Sequence, residues 1–458
     1  MKFKWLLAVW ILASAVSSYR LTKALPASAN LSSVDRLSGW HLPGETTHGH
    51  GQIELKCQAC HDRGGGVREE SCHECHGAAL KDARDTHPKK KFDDPSNAHM
   101  LTILDARSCL SCHAEHAADR TEKMGVSVPQ DFCWQCHQDV AEDRPSHAEM
   151  AFDSCSNAGC HNYHDNTALY ENFLSKHLDE PSLLEDGRVT ARVRAWAERG
   201  RNALGPPLGL DDQDGPGDST DAAYEAHVVA WSQSGHAAAG VNCSACHQPS
   251  GDSESSVWSD AVSTATCGRC HQDNVDGWHD GLHGLRPAAG LPPMRPELAR
   301  LPMQASATGT KLDCNVCHGP HETNTLTAAA DSCLQCHADS HSLAWTETAH
   351  AELWRSEVAA TSTGDNSRLG IGVSCATCHL PRRDDGSVEH NQNATLEPSE
   401  KMVRQVCLNC HGTQFSLDAL ASEQAASQCY GQSPTAEVDS LEMVRRWFEQ
   451  QDARRRNR

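Results

Sequence analysis

Cys57-Gln58-Ala59-Cys60-His61, followed by Cys72-His73-Glu74-Cys75-His76, opens a series that decides the architecture of this 458-residue chain. The same Cys-x-x-Cys-His pattern returns at Cys109/Cys112/His113, Cys133/Cys136/His137, Cys243/Cys246/His247, Cys267/Cys270/His271, Cys314/Cys317/His318, Cys333/Cys336/His337, Cys375/Cys378/His379 and Cys407/Cys410/His411. A wider version with four intervening residues, Cys155/Cys160/His161, falls between the fourth and fifth of these ten copies. Together the eleven motifs use 22 of the 23 cysteines, whereas chance at this composition predicts about 0.07 copies of the ten-fold pattern. Zinc knuckles and dithiol redox sites also use paired cysteines, but neither needs a histidine directly after the second one. Two sulfurs one helical turn apart add to the two vinyl groups of a haem, and the next residue sets its imidazole under the iron. The series therefore implies eleven covalently attached haem c groups. The wide gap at Cys155 raises the alternative of a broken site, but its terminal Cys-His and its even place in the series favour a working one.

Attachment of this kind takes place outside the cytoplasm, so an export signal is expected. Lys2 and Lys4 precede an apolar run, Trp5 to Val16, which has signal-peptide length and falls short of a membrane span. Two small-residue cleavage patterns compete, Ala13-Ser14-Ala15 and Ala27-Ser28-Ala29, and a retained N-terminal membrane tether stays open beside them. The expected location is periplasmic, either free after cleavage or tethered to the inner membrane. The formal net charge of −21 argues against a nucleic-acid partner and for redox proteins that dock through a positive patch. Lys89-Lys90-Lys91 and Arg454-Arg455-Arg456 are basic exceptions that read as solvated surface. Apolar residues make up only 38% of the chain, and the motifs recur about every 32 residues between Cys57 and His411, which leaves little polypeptide for a protein-only interior. The macrocycles are expected to supply the core, so haem loss and unfolding should be one event.

The motifs fall into two groups separated by 81 residues without any, from Asn162 to Asn242. This divides the chain into a signal or anchor (1–29), a five-haem region (30–178), a linker with a short helix (179–226), a six-haem region (227–414) and a helical tail (415–458). The linker helix is placed at Val189 to Ala197, followed by the loop-like, carboxylate-rich stretch from Gly205 to Asp218. Calcium is a weakly supported ligand there, because the carboxylates do not follow the EF-hand spacing. In the tail, Val438, Leu441, Val444 and Phe448 recur at helical spacing and predict an amphipathic helix. No alternating strand pattern is sustained. The fold class that follows is mainly α with much loop, short helices around a haem array and little or no sheet. Cys429, the unpaired cysteine, reads as an unreactive thiol.

The distal ligands decide the chemistry. Eleven of the 29 histidines are committed to motifs, which leaves 18 for the opposite faces. The candidates are His50, His87, His99, His116, His147, His164, His177, His227, His236, His283, His321, His341, His350 and His390, with His279 and His48 as further members of the pool. His48 or His50 is expected to serve the first motif. His116, His164, His321 and His341 follow a motif histidine by three or four residues, so they should serve a neighbouring haem or bind a propionate. Two histidine ligands leave no vacancy for substrate and favour low-spin iron. Met100, Met150, Met294 and Met303 compete as ligands, but the surplus of histidine argues against them.

On these motifs the whole chain resembles a multihaem c-type cytochrome. The N-terminal part, with Cys112-His113-Ala-Glu-His116 and Cys160-His161-Asn-Tyr-His164, is similar to cytochrome c3/c7-type modules. The C-terminal part, with Cys333-Leu-Gln-Cys336-His337, His341, His350, Cys375-Ala-Thr-Cys378-His379 and Cys407-Leu-Asn-Cys410-His411, is similar to the hydroxylamine oxidoreductase and octahaem reductase superfamily. That second resemblance implies closely packed haem pairs and a helical C-terminal end. It also implies a catalytic haem marked by Cys-x-x-Cys-Lys or by a cross-linked tyrosine. No motif here ends in lysine, and Tyr430 alone follows the last motif, reading as a packing tyrosine with no sign of a cross-link. The function expected is an electron relay without catalytic residues, running between a membrane quinol-side donor and a terminal reductase or outer-membrane acceptor. The alternative is an oxidoreductase acting on hydroxylamine, nitrite or tetrathionate at one open haem in the C-terminal part.

Overall fold

Each Cys-x-x-Cys-His stretch closes a single helical turn, and the fold is assembled from such turns. Their mark is a backbone hydrogen bond from the histidine N–H to the carbonyl of the first cysteine. It is 2.8 Å at His61, 2.9 Å at His113, 3.1 Å at His137, 2.9 Å at His337 and 2.8 Å at His411. Residues three and four apart on a helix share a face, so one turn presents both sulfurs and the imidazole to the same side. In the computed structural model, residues 43–148, 161–185, 222–248 and 258–456 are described, apart from positions 63–64, 86, 130, 166–168, 170, 384 and 397–398 and with position 215 added. The apolar N-terminal run, the Cys155/Cys160 pair, the helix expected at Val189 to Ala197 and nearly all of the carboxylate-rich linker, with its calcium reading, lie outside these residues.

The motif turns sit in helices of several lengths. Helix α1 (Glu69–Asp82) carries the second motif in its first half. After α2 (Ala222–Ser232), α3 (Cys243–His247) consists of the sixth motif alone. Helix α4 (Thr264–Asp280) starts with the seventh and breaks its helical geometry at His271 (φ −117°, ψ 43°), the motif histidine itself. Helices α5 (Cys314–His318) and α7 (Cys375–His379) are again single motifs, separated by the longer α6 (Ala349–Ser362). Their first turns are capped by the residue before the first cysteine. The Asp313 carboxylate accepts from Asn315 N and Val316 N, and Ser374 forms a capping box with Thr377. Among the described residues there is no strand, only four isolated bridges, and three of these involve a motif histidine: His61 with Val67, Met303 with His337 and Leu183 with His411. The protein is mostly helix and loop, as the sequence predicts.

The protein-only core is small. One cluster gathers Leu169, Leu174, Val403, Leu408, Leu417, Leu441 and Val444, from the segment after the fifth motif, the last motif, α8 (Thr413–Ala421) and the C-terminal α9 (Ser440–Arg456). The expected amphipathic tail helix is therefore α9, with Leu441 and Val444 inward and Phe448 at the edge. A second cluster joins Ala330, Trp345, Ala351 and Trp354. Of the largest fully buried side chains, Thr395, Thr413 and Ser416 are polar, a sign that apolar protein side chains alone do not fill this interior.

Two junctions tie the parts of the chain together. Arg286, buried after α4, donates to Gln52 O at 2.9 Å, and Arg300 pairs with Glu54 at 2.8 Å. At the other, Leu184 N donates to Cys410 O at 2.8 Å, and Arg445 of α9 donates to Leu178 O at 2.7 Å. Residues 178–184, where the sequence reading places the join between the five-haem region and the linker, thus lie against the last motif and α9. Among the described residues, no helix is long and apolar enough to cross a membrane.

Candidate functional site

Every motif histidine faces a second histidine at nearly one separation. Ring centroids lie 6.5 Å apart for His61 and His116, 5.8 Å for His76 and His50, 6.3 Å for His113 and His164, 6.0 Å for His137 and His87, and 6.3 Å for His161 and His147. In the second group the values are 6.1 Å for His247 and His321, 6.0 Å for His271 and His236, 6.3 Å for His318 and His390, 6.2 Å for His337 and His283, 6.0 Å for His379 and His341, and 6.2 Å for His411 and His350. A metal–nitrogen bond of about 2.0 Å on each side, plus about 1.1 Å from nitrogen to ring centre, gives about 6.2 Å for two imidazoles on one ion. Direct ring stacking is much closer, as at His227 on His321, 4.2 Å. No pair joins the first five motifs to the last six: the facing histidines of the first five lie at or before His164, and those of the last six at or after His236.

The four histidines that closely follow a motif histidine each face a different motif. His116 stands opposite His61, His164 opposite His113, His321 opposite His247 and His341 opposite His379. His50, expected at the first motif, instead faces the second, because His116 already occupies the place opposite His61. His116 gets there in a left-handed conformation (φ 60°), its Nδ1 bonded to Gly44 O at 2.8 Å. A Cβ on Gly44 would lie 2.8 Å from the His116 carbonyl oxygen, so glycine permits the approach. Three candidates stand apart from the pairs. His177 bonds Glu180 at 2.6 Å, His227 stacks on His321, and His99 caps a short turn whose Thr102 hydroxyl donates to its carbonyl. His279, from the wider pool, packs on Trp278.

Second contacts hold the rings. Nδ1 of His87 bonds Tyr163 O at 2.7 Å, that of His113 Gly125 O at 3.1 Å, that of His247 Ser259 O at 2.8 Å and that of His411 Ser182 O at 3.0 Å. A ring that donates from Nδ1 to a carbonyl keeps the lone pair on Nε2, the ligand tautomer. Burial, with His337 beside one and His341 beside the other, pushes His283 and His379 down to about 4, so both are neutral imidazoles at pH 7. Burial also pushes the Cys317, Cys378 and Cys407 thiols up to about 12, an environment that favours an uncharged, covalently capped sulfur over a thiolate.

Neighbouring motifs also touch. The sulfurs of Cys72 and Cys109, of Cys267 and Cys314, and of Cys333 and Cys375 are in hydrogen-bond contact, each pair drawn from two successive motifs. Cys60 and Cys75, Cys246 and Cys267, Cys317 and Cys333, and Cys378 and Cys407 lie close enough to interact electrostatically. The sixth to eleventh motifs thus form an unbroken series. A single cavity of about 2870 Å³ runs among them, against roughly 300–1,000 Å³ for an ordinary small-molecule site. Cys246, His271, His318, Cys378 and His411 are among its lining residues.

The attachment cysteines do not all belong to the interior. Cys57, Cys75, Cys136 and Cys270 are exposed. Cys136 shows the reason. The fourth motif lies in a run of turns from Asp131 to Cys136 rather than in a helix, although Cys136 N still donates to Cys133 O at 3.2 Å. Inward, Cys136 reaches Tyr163 electrostatically, and the Tyr163 ring stacks at 4.1 Å on His87, the imidazole that faces His137. A thioether needs only the vinyl edge of a macrocycle, so its sulfur meets solvent wherever no further segment packs over the turn that carries it.

These residues fit haem. Facing imidazoles at the iron-bridging distance, sulfurs one turn away and a cavity large enough for several macrocycles are three separate requirements met together. They do not fit zinc knuckles, since no group of three histidine, cysteine or acidic side chains converges among the described residues. Cys429 lies 3.5 Å from Nε2 of His341, and burial pushes its thiol up to about 12.

Residues 49–138 match the family model of cytochrome c3. No curated protein and no solved structure matches the chain. The match covers the first four motifs and supports a multihaem c-type cytochrome acting in electron transfer, a family that implies haem c and suggests redox protein partners.

Proposed function

We propose that the protein is an eleven-haem electron conduit working outside the cytoplasm, between a quinol-side donor at the membrane and a terminal reductase or outer-membrane acceptor. The observation that carries this reading is the facing histidine at all eleven motif histidines. Bound haem supplies a one-electron Fe(III)/Fe(II) couple. The chain's residues do the rest. The cysteine pairs would hold the haem covalently, the two facing imidazoles would ligate its iron and leave no place for substrate, and the carbonyl contacts at Nδ1 hold those imidazoles with little room to reorganise. Sulfur contacts between successive motifs support a linear relay through the second group. An enzyme acting on hydroxylamine, nitrite or tetrathionate requires one axial position to be open, and the facing pairs argue against it. The likeness of residues 333–411 to the octahaem reductases belongs to this proposal as a likeness of haem packing. A count of haems by mass and of spin states by EPR tests the reading. Eleven adducts with all ferric iron low-spin are expected, and a high-spin iron in the resting protein overturns it.

A further inference from the structure

Glu115 lies in the segment His113-Ala114-Glu115-His116, whose two histidines face His164 and His61 in two different sites. Its own side chain serves a third. Oε1 accepts from His50 Nδ1 at 2.6 Å and from the Thr47 hydroxyl at 3.0 Å, and Oε2 accepts from the Thr47 N–H at 2.8 Å. His50 in turn faces His76 at 5.8 Å. We propose that Glu115 is a positioning residue that orients the His50 ring and lowers the reduction potential of the haem held between His50 and His76. This rests on the reading above that both imidazoles are axial ligands.

The physical reason is the charge of the acceptor. Distal rings such as His116 and His87 donate from Nδ1 to neutral backbone carbonyls, at 2.8 and 2.7 Å. His50 donates to a carboxylate that two hydrogen bonds from Thr47 hold in place. A carboxylate draws the Nδ1 proton toward itself, makes the ring a stronger donor at Nε2 and favours Fe(III) over Fe(II), with no bond made or broken. His164 faces a carboxylate too, Asp85, but at the longer 3.2 Å. Placement gives the His50 contact a consequence for the whole array. The Gln52 carbonyl, two residues from His50, accepts from Arg286, three residues from His283. The tuned site therefore stands where the five-motif part meets the six-motif part, and its potential sets how readily electrons cross.

The test is an EPR-monitored redox titration of the full-length, haem-loaded protein with Glu115→Gln, alongside His50→Met to identify the component. Glu115→Gln is expected to make reduction of one low-spin component 10- to 100-fold more favourable, about 60–120 mV upward at about 59 mV per tenfold. That component should be the one His50→Met alters. The inference falls if no component moves, or if a different one does. If His50→Met alters no low-spin component, the ligand reading of His50 falls instead. Should Glu115→Gln load fewer than eleven haems, Thr47→Val provides the second arm. It removes one donor to Oε1, leaves that oxygen more basic toward His50 and is expected to move the same component downward; an upward shift overturns the proposal.

Discussion

Replacing His283 by alanine should convert one iron in eleven from closed to open. His283 is half-buried and faces His337 at 6.2 Å, so the variant would leave a haem on the Cys333/Cys336 motif with one protein ligand and a void of imidazole size opposite it. A five-coordinate ferric haem is high-spin, and its ferrous form binds CO. The expected readout is a high-spin EPR signal integrating to about one-eleventh of the iron, with CO uptake rising by one equivalent per chain. The variant also removes an iron-mediated tie across the 55-residue span from residue 283 to residue 337. Treated as a cross-link, that tie contributes about 4 kcal/mol of chain entropy, less to the extent that the neighbouring His318–His390 tie already restrains the same loop. A lower denaturant midpoint should accompany the spectral change. His99→Ala, His177→Ala and His227→Ala, which remove unpaired candidates, should leave spin state and CO uptake alone. A fully low-spin His283→Ala protein, or a high-spin signal in any of the three controls, refutes the pairing.

Three further outcomes follow from the same geometry. Burial raises the Cys429 thiol from an ordinary value near 9 to about 12, so the reactive thiolate appears only as pH rises toward 12; at pH 8 iodoacetamide should label it roughly a thousand-fold more slowly than an exposed cysteine, as read by peptide mass spectrometry. Leu441→Ala removes a side chain that is 3% exposed from the cluster joining α9 to residues 169–174, at a cost of about 2–5 kcal/mol in guanidinium unfolding. Chain produced without haem attachment should lack the helical far-UV circular dichroism of the holoprotein, because the apolar clusters are small and the imidazole pairs have nothing between them.

Much of this was legible in the residues because its cause is local. The i to i+4 hydrogen bond that closes each motif turn lies inside five residues, so attachment sites, first imidazoles and short helices could all be read from spacing. The α9 stripe was legible for the same reason, since Leu441 and Val444 lie on one face of a single helix. The failures are non-local. Nothing in the spacing says that residues 178–184, which mix three leucines with Asp179, Glu180, Pro181 and Ser182, lie against the last motif, because that contact is made by backbone groups, Leu184 N to Cys410 O, which any sequence carries. Nor does it say that Cys136 is left at the surface while Cys407, in the same five-residue pattern, is partly covered, because what packs over a turn comes from elsewhere in the chain.

The axial partners show the boundary most clearly. Composition established that histidine was abundant enough to close every site, and the three-residue gap before His116 established that this ring must look away from its own motif. Which histidine faces which motif histidine is decided by tertiary structure alone. A distal imidazole has to approach across the full thickness of a macrocycle from the face opposite its attachment turn, so it arrives from whatever segment packs there. That segment lies 26 residues before His76 in the case of His50 and 72 residues after His318 in the case of His390, and no local rule connects the two.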